Sequence, residues 1–69
     1  MNTGEKIDYM IQCLQVAKGE YEYEAERYEH ECAEDYEWLN KHHITNKALI
    51  RENLRNVARM GFRVANEVK

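Results

Sequence analysis

The chain has 69 residues, of which 43% are hydrophobic and 33% charged, with no proline and a formal net charge of −3. This length allows a single domain, residues 1–69, with a thin core. The composition is too apolar for a disordered chain and too charged for a membrane protein. No apolar run approaches the ~20 residues that span a bilayer, and no signal-peptide pattern is present, so we expect a cytoplasmic protein.

The first predicted element is a long helix over about residues 3–39. Apolar residues recur in alternating steps of four and three through residues 7–39, which is the period of one helix face. The sequence YEYE at residues 21–24 alternates as a half-exposed β-strand does, but that alternation lasts only about six residues. The longer period therefore indicates a helix.

Signals for the ends of this helix are also present. Asn2 is a suitable N-terminal cap, with Glu5 three residues later in a capping-box arrangement. Asn40 is suited to the left-handed backbone conformation that ends many helices. Gly19 costs about 1 kcal/mol relative to alanine inside a helix, so a break at this residue is the alternative to a continuous helix.

A turn over about residues 40–45 leads to a second predicted helix over about residues 46–67. Thr45 is the predicted cap of this helix, and Ile44 is placed to contact Leu49 as a hydrophobic staple. Helices joined by so short a turn fold back antiparallel. The predicted fold is therefore an all-α helical hairpin.

The position of the turn predicts which residues of the two helices face each other. The expected pairs are Cys32 with Leu54, Tyr28 with Val57, Ala25 with Gly61, and Tyr21 with Val64. In this register three tyrosines belong to the core: Tyr21, Tyr28 and Tyr36. The first helix is about 52 Å long and the second about 34 Å, so the second helix ends near residue 16 of the first.

The predicted overhang leaves the most apolar part of the first helix uncovered. Its residues are Ile7, Met10, Ile11 and Leu14, with Tyr9 beside them. An apolar patch of this size is seldom left in water, so we expect the first four residues to form a self-association surface in a homodimeric four-helix arrangement. Two alternatives stay open: residues 5–17 fold back as a third helix of a monomer, or the patch receives another protein.

Charge is unevenly distributed along the chain. Residues 1–41 carry eleven acidic and four basic residues, a balance of −7, whereas residues 42–69 carry two acidic and six basic residues, a balance of +4. In the second helix, Lys47 and four arginines recur every four residues; the arginines are Arg51, Arg55, Arg59 and Arg63. We call the four arginines the arginine row.

The arginine row has three interpretations. It leans over acidic residues of the first helix, or it binds the phosphates of a nucleic acid, or it binds an acidic protein. The acidic residues expected in the first case are Glu20, Glu24, Glu31 and Glu34. The glutamates of the first helix have two interpretations of their own. They form a solvated helix face, or they imitate the phosphate backbone of a nucleic acid. Tyr23 and Trp38 are the aromatic candidates for exposed partner-binding residues.

No motif for catalysis, a metal or a cofactor is recognisable, so we expect a non-enzymatic protein. The residues near the turn that zinc could use are His30, Cys32, His42 and His43, but they lack the paired spacing of zinc ligands. Cys13 and Cys32 would lie roughly 28 Å apart on one helix, which excludes a disulfide between them.

The segments MNTGEKIDYM and ECAEDYEWLNKHHITNKALI, together with the small size and the lack of proline, have the character of short bacteriophage accessory proteins. The chain most resembles the small all-helical proteins from the exo–xis region of lambdoid phages. That resemblance implies an early phage protein that acts in the bacterial cytoplasm and influences the choice between lysis and lysogeny through host factors. It implies no site residue, because the family offers no motif to match.

These observations predict a regulatory or protein-interaction module that binds itself and a host protein. The alternatives are a small nucleic-acid-binding regulator that uses the arginine row, or an acidic nucleic-acid mimic that uses the glutamates of the first helix.

Overall fold

The computed structural model describes residues 1–68 and contains three helices. Helix α1 spans Thr3–Cys32, α2 spans Tyr36–Lys41, and α3 spans Lys47–Glu67. The described residues contain no strand. Both α2 and α3 pack on α1, and the molecule is a rod with extents of 53 × 15 × 14 Å. The all-α prediction is therefore confirmed, and the connection between the two long helices contains an additional short helix.

Helix α1 begins at the predicted position and continues through Gly19. The Oδ1 atom of Asn2 accepts a hydrogen bond from the backbone N–H of Glu5 at 2.8 Å, which satisfies one free donor of the first turn. No heavy atom lies within 4 Å of the position that a Cβ would take at Gly19. The glycine is therefore not required by a close contact, and the helix is unbroken for 30 residues.

Helix α1 ends at Cys32, earlier than the predicted end at residue 39. Glu34 has a φ of 55°, so this residue takes the left-handed conformation that the sequence suggested for Asn40. Asp35 then caps α2, because its Oδ1 atom accepts a hydrogen bond from the backbone N–H of Trp38 at 3.2 Å. The single long helix over residues 3–39 is wrong because Asp35 starts a new helix instead of continuing the old one.

Between α2 and α3 the chain returns along α1. We call residues 42–46 the return segment. Its first and last residues have extended backbone angles. The Nη1 atom of Arg27 donates hydrogen bonds to the carbonyl oxygens of His42 and His43, at 3.2 and 3.3 Å. The connection is therefore a segment fastened to the side of α1, and the predicted turn over residues 40–45 begins too early, because residues 40 and 41 still belong to α2.

The start of α3 differs by one residue from the prediction. Asn46 is the cap, with its Oδ1 atom accepting a hydrogen bond from the backbone N–H of Leu49 at 3.1 Å. Thr45 is buried instead, at 6% exposure. Ile44 is 79% exposed, so the predicted contact with Leu49 is absent. A cap at residue 46 moves Ile44 one position too far from the helix to act as a staple.

The return segment shifts α3 along α1. Lys47 forms an ion pair with Glu24 at 3.1 Å, and Lys6 forms one with Glu67 at the other end of the hairpin. Met10 lies opposite Gly61, with its sulfur 4.0 Å from the position of a Cβ there. The antiparallel hairpin is thus correct, but the predicted register, in which Ala25 faces Gly61, is wrong by 15 residues.

The overhang inferred from that register is wrong for the same reason. Helix α3 lies beside the N-terminal part of α1, approximately residues 3–24, and ends beside Thr3, whose hydroxyl donates to the carboxylate of Glu67 at 2.9 Å. The buried apolar residues of this contact are few and small: Cys13, Ala17 and Val64. The hairpin therefore has a thin core.

Replacement of Gly19 with alanine tests the continuous helix. The side chain of an alanine meets nothing at this position, so Gly19→Ala should stabilise the fold by about 0.5–1 kcal/mol through helix propensity. The measurement is urea unfolding followed by circular dichroism. Gly19→Pro is the opposite control and should lower the helix content; a Gly19→Ala chain no more stable than the original would argue for a break in α1.

Candidate interaction surfaces

One side of the hairpin carries apolar residues of both long helices. We call it the apolar face, and it consists of Ile7, Ile11, Leu14 and Tyr21 of α1 and Leu54, Ala58, Gly61, Phe62 and Ala65 of α3. Leu14 and Tyr21 form one open groove with Ile50 and Leu54 of α3. This shared groove places Leu14, Tyr21 and Leu54 on the same side of the hairpin, and the helical period assigns the other residues of the apolar face to that side.

The apolar face is substantially exposed. Ile11 is 46% exposed and Leu14 45%, while Phe62 is 78% exposed. Each of these residues directly follows a residue that contacts the opposite helix. One residue along an α-helix corresponds to a rotation of about 100° around its axis, so these side chains point away from the α1–α3 contact. The apolar period of the sequence therefore marks a second face beside the hairpin contact rather than the contact itself.

The four residues predicted for self-association are divided between these two environments. Met10 lies at the α1–α3 contact, against Gly61. Ile7, Ile11 and Leu14 lie on the apolar face, with exposures between 41% and 46%. Tyr9 lies on the opposite side, in a polar groove with Arg59 and Arg63.

The arginine row lies mainly on the outer side of α3. The Nη2 atom of Arg59 donates to Glu52 at 2.8 Å and to Asn56 at 2.7 Å, within the same helix. The other three arginines of the row form no ion pair with any described residue; they are Arg51, Arg55 and Arg63.

The expectation that the basic residues of α3 lean over α1 is met at one position only: within the described residues none of the four arginines forms an ion pair with α1, whereas Lys47 pairs with Glu24. Their contact at 3.1 Å lowers the pKa of the Glu24 carboxyl, chiefly through the hydrogen bond from the lysine ammonium. Glu31 is paired with Arg27 on its own helix at 3.7 Å.

The corner between α1, α2 and the return segment contains five stacked rings, which we call the corner cluster: Tyr23, His30, Trp38, His42 and His43. His30 and His42 stack on Trp38 with ring centroids 3.9 and 3.8 Å away. Tyr23 stacks on His43 at 4.6 Å. The cluster thus connects two rings of α1, Tyr23 and His30, to one ring of α2 and two rings of the return segment.

Hydrogen bonds fix two of these histidines. Nδ1 of His30 lies 3.0 Å from Oδ2 of Asp35, and Nδ1 of His42 lies 2.7 Å from the carbonyl oxygen of Trp38. Because both oxygens accept, each Nδ1 carries the donating proton. The pKa of Asp35 is lowered, first by the backbone N–H of Trp38 and then by His30.

The placement of the tyrosines reverses the sequence prediction. Tyr23 and Trp38, expected to be exposed for a partner, are partly buried in the corner cluster. Tyr21, Tyr28 and Tyr36, expected in the core, are 66%, 65% and 64% exposed. The signal that was available is the run of histidines close to a tryptophan, since flat rings of this kind stack when a chain turns back on itself.

No group of three or more metal-binding side chains occurs among residues 1–68. Within the same range, no helix has the length and hydropathy needed to cross a membrane. Both cysteines are free thiols, Cys13 buried and Cys32 exposed. Comparisons with protein-family models, curated proteins and solved structures found no match for the chain.

The lowered pKa of Asp35 gives the corner cluster a pH dependence. A carboxyl whose pKa is lower in the folded state contributes stability above its ordinary pKa of about 3.8, and this contribution is lost as pH falls through the folded value. Asp35→Asn keeps a capping oxygen but removes the charge, so its unfolding should depend less on pH below about pH 4.

The single tryptophan lies in this cluster, so its fluorescence during acid titration is a direct measurement of the change. Glu26→Gln, an exposed acid on α1, is the matched control and should leave the acid limb unchanged. Equal acid limbs for the original chain and Asp35→Asn would show that the charge of Asp35 does not stabilise the corner.

Proposed function

We propose that the protein is a non-enzymatic interaction module that acts as a homodimer, with the apolar face as the contact between two copies. The observation that carries this proposal is the position of the exposed apolar residues. They come from two helices and from distant parts of the sequence, and a groove between Leu14, Tyr21 and Leu54 joins the two helices on this side of the rod. Contiguous apolar surfaces of this kind mark protein interaction sites.

The accessible surface supports a second copy as the occupant of this face. A folded monomer of this mass exposes about 4,600 Å², whereas this chain exposes 5474 Å². The excess is close to the ~800 Å² that each partner contributes to an interface of standard size. A second copy on the apolar face would therefore bring the exposed surface to the value expected for the mass.

The shape of the chain gives the same indication. Its radius of gyration is 16.3 Å, against about 11 Å for a compact chain of this length. Two helices side by side enclose only a thin interior, and the buried apolar residues of this contact are Cys13, Ala17 and Val64. Two hairpins packed face to face would form a four-helix bundle, in which the apolar face becomes the core.

The surfaces left outside such a bundle are charged and would bind the regulatory partner. Together with the resemblance to phage accessory proteins, this arrangement supports an early bacteriophage regulator that acts on a host protein in the cytoplasm and influences the choice between lysis and lysogeny. The excess of basic charge on α3 would select an acidic region of that host protein.

A nucleic-acid-binding regulator is the second candidate. It is favoured by one observation: Arg51, Arg55 and Arg63 are not engaged by acidic residues of the described chain. Arginines along one helix can follow a phosphate backbone. The formal net charge of −3 favours the protein-binding alternative, because it opposes approach to a polyanion.

An aspartate on the apolar face tests the homodimer. Ile11→Asp would place a charge in the interior of the four-helix bundle, so it should yield a monomer in sedimentation velocity, with the dimer affinity lowered at least 100-fold. Val16→Asp is a closely matched control, because Val16 is 45% exposed and Ile11 46%. Val16 lies outside the apolar face, in a groove with Glu20 and His43.

The Val16→Asp chain should remain a dimer. Equal masses for the two variants would contradict the assignment of the apolar face as the contact.

Titration with a short labelled duplex separates the two candidate functions. We expect no complex at physiological salt for the protein-binding module. A complex whose affinity falls with salt, by about 0.9 log unit per log unit of salt for each phosphate contacted, would instead favour the nucleic-acid candidate. In that case Arg55→Ala should weaken the complex more than Lys18→Ala, because Lys18 lies on α1 and pairs with Glu22.

A further inference from the structure

The apolar face allows two arrangements of a symmetric dimer, and the geometry points to one of them. We propose that α1 of each copy packs on α3 of the other, with the two-fold axis parallel to the helices. In the other arrangement the axis is perpendicular to the helices, and α1 packs on α1 and α3 on α3. This inference rests on the proposed function, since it specifies the occupant of the same surface.

Side-chain size is the first observation that selects between the arrangements. The α1 edge of the apolar face consists of large residues, Ile7, Ile11 and Leu14. The facing part of α3 is a shallow groove lined by three small residues, Ala58, Gly61 and Ala65, with Val57 and the larger Phe62 beside them.

Large residues against small ones fill a helix contact, whereas two small edges leave a gap and two large edges keep the helices apart. The α1-on-α3 arrangement makes this large-to-small contact twice, once on each side of the axis.

The register of the hairpin determines which residues meet. Glu24 pairs with Lys47 and Met10 lies opposite Gly61, so residues at the same height on the two helices have numbers that add up to about 71. A two-fold axis parallel to the helices preserves height. Between copies, the facing pairs are therefore Ile7 with Ala65, Ile11 with Gly61, and Leu14 with Ala58. Each pair combines one large and one small residue.

Charge is the second, independent observation. Residues 3–24 of α1, the part that lies beside α3, contain five acidic and two basic residues, a balance of −3, whereas α3 contains two acidic and five basic residues, a balance of +3. Packing α1 on α3 brings helix segments of opposite net charge together twice in the bundle. Packing α3 on α3 would bring the two arginine rows together on one side, and like charges at close spacing repel.

The arrangement also has a consequence for the partner. With the axis parallel to the helices, the two arginine rows lie at opposite corners of the bundle, each beside an acidic helix of the other copy. No broad basic side is formed that could follow a duplex. The surface that remains is a pair of narrow basic ridges, which suits an acidic segment of a protein and agrees with the leading candidate function.

Cross-linking of mixed chains that each carry one introduced cysteine tests this inference. The background is Cys32→Ser, which removes the exposed thiol, whereas Cys13 is buried and stays. Leu14→Cys and Ala58→Cys are made separately in this background and mixed in equal amounts after unfolding and refolding together. Ile7→Cys with Ala65→Cys is a second pair, in case one variant folds poorly. Oxidation to a disulfide needs Cα atoms within ~7 Å, so the readout is sensitive to the arrangement.

We expect a disulfide-linked dimer in the mixture, in no more than about half of the chains because pairing is random, and none in either variant alone. A linked dimer of Leu14→Cys alone, or of Ala58→Cys alone, would overturn the inference in favour of the perpendicular axis while keeping the homodimer. A Cys32→Ser chain that sediments as a monomer would overturn the proposed function itself. The two failures are thus distinguishable.

Discussion

The structure depends on one backbone constraint, which is the left-handed residue Glu34 followed by the cap at Asp35. These two residues end α1 and start a short helix that turns the chain back. The return segment then uses five residues to travel along α1 before α3 can begin. As a result, α3 lies beside the N-terminal part of α1, and the apolar stripe of α1 is left on an open flank. The exposed apolar face is therefore a consequence of where the first helix stops.

The corner cluster makes this reversal well defined. A non-glycine residue at positive φ is unfavourable, so the surrounding contacts must compensate for it. Trp38 lies between His30 and His42, and each ring contact of this type contributes about 0.5–1.5 kcal/mol beyond its buried area. Asp35 contributes to both, because it caps α2 and accepts from His30. The thin α1–α3 contact could not fix the register alone, and the ion pairs at its two ends, Lys47 with Glu24 and Lys6 with Glu67, complete it.

Much of the secondary structure can be predicted from the sequence, because it is local. The cap at Asn2, the continuous helix through Gly19 and the antiparallel hairpin follow from capping chemistry and periodicity. The end of α1 cannot be read in this way, since glutamate gives no warning of a left-handed conformation. This single error propagates into the register. The apolar period itself is a correct signal, but it cannot distinguish a face that packs within the chain from one that packs against another chain, because both are equally apolar.

The central claim is that a rod of fixed register pairs side by side through the apolar face. Small-angle X-ray scattering over a range of concentrations tests it most directly. The account predicts that the particle mass doubles while the longest dimension remains close to that of a single rod, whose long axis is 53 Å. The thickness alone should increase. A dimer much longer than one rod would contradict the account, because it would mean that the copies meet at their ends, and a mass that never doubles would show that the apolar face does not bind a second copy.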